Sequence, residues 1–305
     1  MANGKLVTAE NAGNEPLIAN RDAIGPWETF EEIVVDSGAP EPAPEPSPPQ
    51  PVPLGAKWRG SSDFRLLQRF LTDEDIDGVL QERLDAGANI IRVFGMKQNN
   101  TGWELNPKQR PDFHSDVRRF LDHINGRIRV YFTVFADTAA MMPDQAAQLG
   151  FFDYVIDAIR PYVGFVAVEL CNEWNHPTQR IDPRAFRKPD GIICSRGSAM
   201  TDQDPASPYW DIAGYSARRN VPPDARGFTN YNPFVFQAEY PMRVPKFAQE
   251  GMKPEDYGGN PDIAALMGEH ATVGIGGFFH SNGGVDSRPF SGTERACAEA
   301  FFRAV

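Results

Sequence analysis

Two carboxylates, Glu173 and Glu269, lie at sequence positions that suit acid–base catalysis. Glu173 follows the apolar run 164–171, GFVAVELC, which reads as a buried strand, and a loop-forming Asn-His-Pro comes soon after it. Glu269 follows a second apolar run, AALMG at 264–268. Carboxylates at the ends of buried parallel strands are placed for catalysis. Two of them facing each other can cleave a glycosidic bond, since one protonates the leaving oxygen and the other attacks the anomeric carbon.

The separation and surroundings of such a pair decide what it does. A gap of ~5–5.5 Å gives retention of configuration, whereas ~6.5–9.5 Å leaves room for a water molecule and gives inversion. Strand alternation places Glu169, Cys171 and Glu173 on one face, so a second carboxylate lies lower on the same side. Glu239 is a rival second acid, although Pro241 after it favours a loop. Glu173 as an ordinary surface-loop acid also stays open.

Strand-like and helix-like segments alternate through the second part of the chain, and they must position these acids. The predicted strands are 58–64, 89–95, 128–136, 164–172, 191–195, 211–215, 263–268 and 274–279. Helices are predicted to begin at Thr72 and Ser115, the first ending at Gly87, and a last helix spans 293–304. This alternation predicts an α/β fold, a (β/α)8 TIM barrel. Glu173 would end the fourth strand and Glu269 the seventh, facing each other across the mouth.

A proline-rich segment at 39–54 divides the chain. Half of its residues are proline, so it should form a stiff, extended linker. It separates a small head, 1–38, from a body, 55–305, and the head has short strand signals at Leu6 and Val34. The head is too small to build a core alone. We therefore expect it to bind other copies of itself or a larger assembly, unless it is only a partly ordered tail.

Composition excludes several classes of protein. A formal net charge of −11 argues against nucleic acid or an anionic membrane as a partner. No apolar stretch is long enough to span a membrane, and the N-terminus lacks the apolar core of a secretory signal, which predicts cytoplasmic synthesis. The three cysteines are widely spaced and predict free thiols rather than disulfides.

No cofactor and no metal are predicted. The sequence lacks a Gly-x-Gly-x-x-Gly after a first strand, which argues against a dinucleotide fold. His176, His270 and His280 could be imagined around a metal ion together with Glu173. Their spacing matches no short ligand signature.

Three segments of the body together resemble one enzyme group. GANIIRVF at 87–94, ELCNEW at 169–174 and MGEH at 267–270 are similar to clan A glycoside hydrolases, the cellulase- and mannanase-like barrel enzymes, over roughly 56–305. The resemblance implies a retaining glycoside hydrolase acting on a β-linked poly- or oligosaccharide. It implies Glu173 as the acid/base and Glu269 as the nucleophile. Asn172 would bind the sugar 2-hydroxyl, and Arg92 would steady the nucleophile by a charge-assisted contact.

Other positions fit the group less closely. Trp174 stands where proline is frequent in the family, and it would suit a sugar face or simple packing. Tyr215 matches only loosely the aromatic of the sixth strand, and Phe279-His280 stands where the eighth strand usually ends in a tryptophan platform. Asp137 ends the third strand, where it would line the mouth or cap a helix. His270 and His280 complete the candidate substrate-binding residues.

These departures keep an alternative function open, a catalytically inactive barrel that serves as a structural or carbohydrate-binding component of an assembly. The head adds to this alternative. Its segments GKLVTAEN (4–11), PLIANR (16–21) and GPWETF (25–30) resemble one lobe of a fascin-like β-trefoil, over residues 3–35. Fragments of this kind are similar to adaptor pieces on secreted and bacteriophage virion proteins. The resemblance implies an oligomeric or virion-associated protein that acts on a surface polysaccharide.

Overall fold

The computed structural model describes residues 6–8, 18–21, 57–98, 102–197, 210–216, 245–272 and 274–305. The chain divides into two compact units, Met1–Glu45 and Pro46–Val305. In the first unit, Leu6–Thr8 and Ile18–Arg21 form an antiparallel pair. The strand predicted at Val34 and the predicted linker 39–54 lie outside the described residues.

Eight parallel strands form the sheet of the second unit. They are β1 (Trp58–Ser62), β2 (Ile90–Phe94), β3 (Arg129–Phe135), β4 (Val166–Cys171), β5 (Cys194–Ser195), β6 (Ala213–Ser216), β7 (Lys246–Glu250) and β8 (Gly276–Phe279). Their order is β6-β7-β8-β1-β2-β3-β4-β5, and every neighbouring pair is parallel. The Asp211 N–H donates to the Cys194 carbonyl at 3.0 Å and links the two end strands. The barrel is thus nearly closed, which confirms the predicted α/β barrel.

Helices connect the strands. In the part of the chain that the structure describes, they are α1 (Leu66–Leu71), α2 (Asp77–Ala86), α3 (Phe113–Ile124), α4 (Thr138–Met141), α5 (Gln145–Ile159), α6 (Pro261–Ala271), α7 (Asn282–Val285) and α8 (Gly292–Ala304). Gly87 ends α2 in the left-handed conformation, as its type predicts, and a capping box of Ser291 and Glu294 begins α8. Thr72 was predicted to begin a helix but instead ends α1, and α2 begins after Ile76. Among the described helices, none is long and apolar enough to cross a membrane.

The prediction of the seventh strand at 263–268 is wrong, because these residues belong to α6. The Asn260 side chain accepts a hydrogen bond from the Asp262 N–H, and Pro261 occupies the first helical position. The buried residues of α6 are Ala264, Met267, Gly268 and Ala271. Their spacing of three and four residues is that of a helix face. The seventh strand is β7, which lies closer to the N-terminus.

Side chains inside the barrel form two layers. An apolar layer near the amino ends of the strands comprises Trp58, Ile90, Tyr131, Ala167, Ile212, Phe247, Ile275 and Phe278. Two residues further along β2, β3 and β4 lie Arg92, Thr133 and Glu169, all fully buried. Because side chains alternate along a strand, both layers point inward. We call the second set the inner polar layer.

Gly60 on β1 is required by the packing of the apolar layer. A Cβ at this position would lie 2.2 Å from Cδ1 of Phe278, whose ring stacks on Tyr131 at 5.3 Å. Gly60→Ala is therefore expected to lower the free energy of unfolding by about 1–3 kcal/mol, measured by urea denaturation. In Gly150→Ala, on α5, the added methyl meets no atom within 4 Å. This control should gain up to ~1 kcal/mol, and equal stabilities of the two variants would contradict the packing argument.

Candidate active site

Arg92 on β2 is the centre of a buried charge network. Its Nη1 donates to Oε1 of Glu250 at 2.7 Å. Its Nη2 donates to Oε2 of Glu169 at 2.7 Å and to Oδ1 of Asn172 at 2.6 Å. The guanidinium is inaccessible to solvent. Burial lowers the pKa of Arg92, but Glu169 and Glu250 outweigh it and raise the pKa above its ordinary value. One cation thus joins β2, β4 and β7 at the carboxyl ends of the strands, which we call the mouth.

Glu169 holds the guanidinium from the inner side. Arg92 Nε donates to Glu169 Oε2 at 3.0 Å and to Thr133 Oγ1 at 3.2 Å. The Thr133 hydroxyl in turn donates to the same Glu169 oxygen at 2.5 Å. Burial raises the pKa of Glu169, Arg92 and Thr133 oppose the shift, and nearby Glu250 adds to it. The orientation of Arg92 is therefore fixed before any ligand binds.

Glu250 reaches the barrel interior through an irregularity in the sheet. Phe247 points inward, so an unbroken strand would turn Glu250 outward. The pairing of β6 with β7 shifts register, however, since Tyr215 pairs with Ala248 and Ser216 pairs with Glu250. Such a bulge re-aims a side chain, and bulges are common beside active sites. Glu250 is 2% exposed and contacts Arg92. Sequence reasoning missed this residue.

Glu173 lies in a tight turn directly after β4. The Asn172 N–H donates to the Phe135 carbonyl at 2.9 Å, and the His176 N–H donates to the Glu173 carbonyl at 2.7 Å. Glu173 has φ +40°, a left-handed conformation that non-glycine residues rarely adopt and that is found at functional sites. Asn172, its neighbour, contacts Arg92. Asn172, the neighbour of Glu173 after β4, and Glu250 at the end of β7 therefore bind the same guanidinium.

Apolar side chains line one part of the mouth. They are Phe64, Phe94, Trp103, Ala136 and Val285. The Arg92 guanidinium lies 4.7 Å from the Phe94 ring centroid, and His280, directly after β8, lies 5.5 Å from Phe64. His280 is buried, so it is among the predicted residues that the fold brings to this region. The wall keeps water from one side of the charges, which strengthens their interaction.

Asp137, directly after β3, has a local partner at the mouth. Its Oδ2 accepts hydrogen bonds from Lys97 Nζ at 2.7 Å and from the Gln98 N–H at 3.0 Å. It precedes α4 but makes no side-chain cap to it. Lys97 and Gln98 belong to the hairpin that follows β2. Asp137 therefore fastens this hairpin to the end of β3.

Glu269 and His270 do not lie at the mouth, which corrects their predicted placement at the end of a strand. Both are on α6, where Glu269 is exposed. This helix packs on α8, since a Cβ at Gly268 would lie 2.4 Å from the Phe301 carbonyl oxygen. Burial lowers the pKa of His270. The partly buried Trp174 packs against the main core, and Tyr215 lies on β6 with its side chain outside the described part of the structure.

A thiol nucleophile does not fit this site. Cys171, Cys194 and Cys297 are buried and free. Burial raises the pKa of Cys171 and raises that of Cys194 to about 12, so neither forms the reactive thiolate at neutral pH. Within the described ranges, no group of three or more histidine, cysteine, aspartate or glutamate side chains is arranged to hold a metal ion.

Comparisons with known proteins give structural neighbours only. No protein-family model matches the chain, and no curated protein sequence matches it. One similar solved structure is a GH5_18 variant from Bifidobacterium longum subsp. longum in complex with Manb1-4GlcNAc. It has 15% identity and a TM-score of 0.49, and the match covers 73% of this chain and 68% of that one. Another is the tryptophan synthase alpha chain from Legionella pneumophila, with 10% identity, a TM-score of 0.38 and coverages of 82% and 91%. Likenesses this distant carry no argument about function.

Proposed function

We propose that the body is a retaining glycoside hydrolase in which Glu173 is the acid/base and Glu250 the nucleophile. The observation that carries the proposal is the shared guanidinium. Arg92 binds Glu250 at 2.7 Å and also binds Asn172, the residue before Glu173. Two carboxylates on separate strands of a barrel mouth, in different surroundings, are the device that glycosidic bond cleavage requires. Glu250 thereby takes the role that the sequence had assigned to Glu269.

The first step forms a glycosyl-enzyme ester. A carboxylate oxygen of Glu250 attacks the anomeric carbon as the bond from that carbon to the leaving oxygen breaks. The proton of Glu173 passes to the leaving oxygen, so a neutral alcohol departs. The hydrogen bond from Arg92 to Oε1 orients the Glu250 carboxylate for this attack.

The second step returns the enzyme to its starting state. Glu173, now a carboxylate, removes a proton from water, and the water oxygen attacks the anomeric carbon. The ester bond to Glu250 breaks, and its carboxylate returns to Arg92. Because Oδ1 of Asn172 accepts from Arg92, its amide N–H groups are free to face a sugar hydroxyl. Two inversions at the same carbon give net retention.

Glu173→Gln tests the acid/base role. The variant cannot protonate a poor leaving group, so kcat/KM should fall by roughly 10²–10⁴-fold on alkyl and oligosaccharide β-glycosides. A dinitrophenyl leaving group departs without a proton, and its release should fall far less. Rates on both substrate types are compared for wild type and variant, with circular dichroism to check the fold. Equal losses on the two types, or no loss on either, would remove Glu173 from the mechanism.

The stereochemical outcome is measured separately. Proton NMR of the first product formed from an aryl β-glycoside should show the β-anomer before mutarotation. An α-anomer would contradict a Glu250 ester and require a water molecule between the two carboxylates.

We also propose a substrate for the body and binding partners for the head. A β-linked poly- or oligosaccharide substrate rests on the resemblance of the three body segments to clan A glycoside hydrolases. The head, 1–38, is proposed to bind further copies or a larger assembly such as a phage virion, on its resemblance to a fascin-like lobe. An inactive carbohydrate-binding barrel is the competing function. It would bind oligosaccharides without hydrolysing them, so the rate measurements on the wild type decide between the two.

A further inference from the structure

We propose that Glu169 is a positioning residue that holds Arg92 in place and shares its charge, so that Glu250 is oriented but keeps its reactivity. The proposal rests on the function proposed above, and it assigns a task to a carboxylate that the two displacement steps do not use. Glu169 is fully buried on β4, in the inner polar layer. It acts through Arg92.

The geometry fixes the guanidinium in one orientation. Oε2 of Glu169 accepts from Arg92 Nε at 3.0 Å, from Arg92 Nη2 at 2.7 Å and from Thr133 Oγ1 at 2.5 Å. Two donors of one planar group bound to one oxygen leave little rotational freedom. The outer nitrogen, Nη1, is thereby directed at Glu250. Without Glu169, Arg92 would keep single hydrogen bonds to Glu250, Asn172 and Thr133, and it would move more easily with the carboxylate that it orients.

Charge balance alone does not explain why Arg92 binds a second carboxylate. Glu250 alone would neutralise Arg92, so Glu169 is not required for neutrality. A second buried carboxylate carries a substantial desolvation cost. Glu250 loses its negative charge as it bonds to the anomeric carbon, so strong stabilisation of that charge in the ground state would slow the step. By dividing the positive charge between two carboxylates, Glu169 limits this stabilisation.

Other titratable groups face this network, and they must be kept constant in a test. Among the described residues they are Arg92 on β2, Tyr131 on β3, Cys171 and Glu173 at the end of β4, and His280 after β8. Burial raises the pKa of Tyr131, and Glu169 adds to that shift. Burial likewise raises the pKa of Cys171. Both therefore stay neutral between pH 3 and pH 8 and do not contribute to titrations in this range.

The test measures the titration of Glu250 directly. Protein labelled with ¹³C at the glutamate carboxyl carbon is titrated by NMR, and Glu250→Gln identifies the Glu250 signal by its loss. Glu169→Gln keeps the shape and removes the charge, so the pKa of Glu250 should fall by about one unit. Glu169→Asp keeps the charge and should restore most of the wild-type value. Thr133→Val removes hydrogen bonds but no charge, so the pKa of Glu250 should stay at its wild-type value.

Kinetics supply a second readout. In Glu169→Gln, kcat/KM on a 4-nitrophenyl β-glycoside should fall by roughly 10–100-fold. KM should change much less, and the acidic limb of the pH profile should move to lower pH together with the pKa of Glu250. A counter-ion that acts only through its charge would move this limb without lowering the rate on the plateau of the profile, and one that acts only on stability would change neither.

The outcomes separate the two proposals. An unchanged Glu250 titration in Glu169→Gln, or an equal shift in Thr133→Val, would overturn the role of Glu169. Hydrolysis by the wild type that persists in Glu250→Gln would overturn the proposed function instead. The NMR titration needs no substrate, so it decides on Glu169 in either case.

Discussion

Glu250→Gln is expected to abolish hydrolysis, with kcat reduced by on the order of 10⁴-fold or more. An amide cannot form the ester with the anomeric carbon, and a loss of this size corresponds to at least ~5 kcal/mol in the barrier. Glutamine has the shape of glutamate, and its carbonyl oxygen can still accept from Arg92 Nη1, which contacts Oε1 of Glu250 in the wild type. The fold should therefore survive, and initial rates on aryl β-glycosides measure the effect.

Glu269→Gln is the matched control for this experiment. It makes the same chemical change at an exposed position on α6, outside the mouth. Its rate should equal that of the wild type. Loss of activity in Glu269→Gln with retention in Glu250→Gln would reverse the assignment and restore the nucleophile that the sequence alone indicated.

The first four strands could be predicted from sequence because their inner and outer residues are well separated by type. On β2, Ile91 and Val93 pack outward while Arg92 points inward. Predicted and observed bounds of these strands differ by one or two residues at most ends, as for 89–95 against Ile90–Phe94. Gly87, which ends α2 just before β2, was found from its type alone.

The seventh strand could not be found from hydrophobicity. The segment Lys246–Glu250, KFAQE, has only two apolar residues, whereas the segment 263–268 is apolar throughout except for its glycine. The bulge at Gln249 also breaks the alternation that would identify an inward carboxylate. The signal that could have prevented the error lay before the apolar segment. Asn260-Pro261-Asp262 is a helix-start sequence, and it excludes a strand immediately after it.

The contacts among the site residues depend on tertiary structure. Arg92 and Glu169 are far apart in sequence, and they meet because β3 lies between β2 and β4 with Thr133 beside Glu169 in the register. Motif resemblance singled out Arg92 and Asn172 and predicted that Arg92 would steady a nucleophile. It could not indicate which carboxylate that would be, because the identity of the partner depends on where β7 lies.

A second buried arginine, outside the proposed site, yields the largest expected effect on stability. Arg83 on α2 forms an ion pair with Asp63 at 2.9 Å, and both side chains are inaccessible to solvent. Asp63 follows β1 and also accepts from the Ser61 hydroxyl at 2.7 Å. Arg83 donates to the Arg288 carbonyl at 2.8 Å, and its guanidinium lies 3.5 Å from the Phe290 ring centroid. The pair therefore joins β1, α2 and the segment before α8.

Arg83→Met should lower the free energy of unfolding by about 3–5 kcal/mol, because it leaves the Asp63 carboxylate buried without its cation. The unfolding temperature should fall by about 10 °C. Arg295→Met makes the same change in a partly exposed pair with Glu299 on α8 and should leave the unfolding temperature within measurement error. Thermal unfolding followed by near-ultraviolet circular dichroism compares the variants.

The double variant Asp63→Asn, Arg83→Met separates the lost ion pair from lost packing. If the cost of Arg83→Met comes from the isolated carboxylate, removing that charge should recover a large part of it, and the two changes should be strongly non-additive. If the cost comes from the contact of Arg83 with Phe290, the double variant should be no more stable than Arg83→Met. Additive losses would show that the Asp63–Arg83 pair contributes little as a pair, and that its carboxylate is stabilised by Ser61 and the backbone instead.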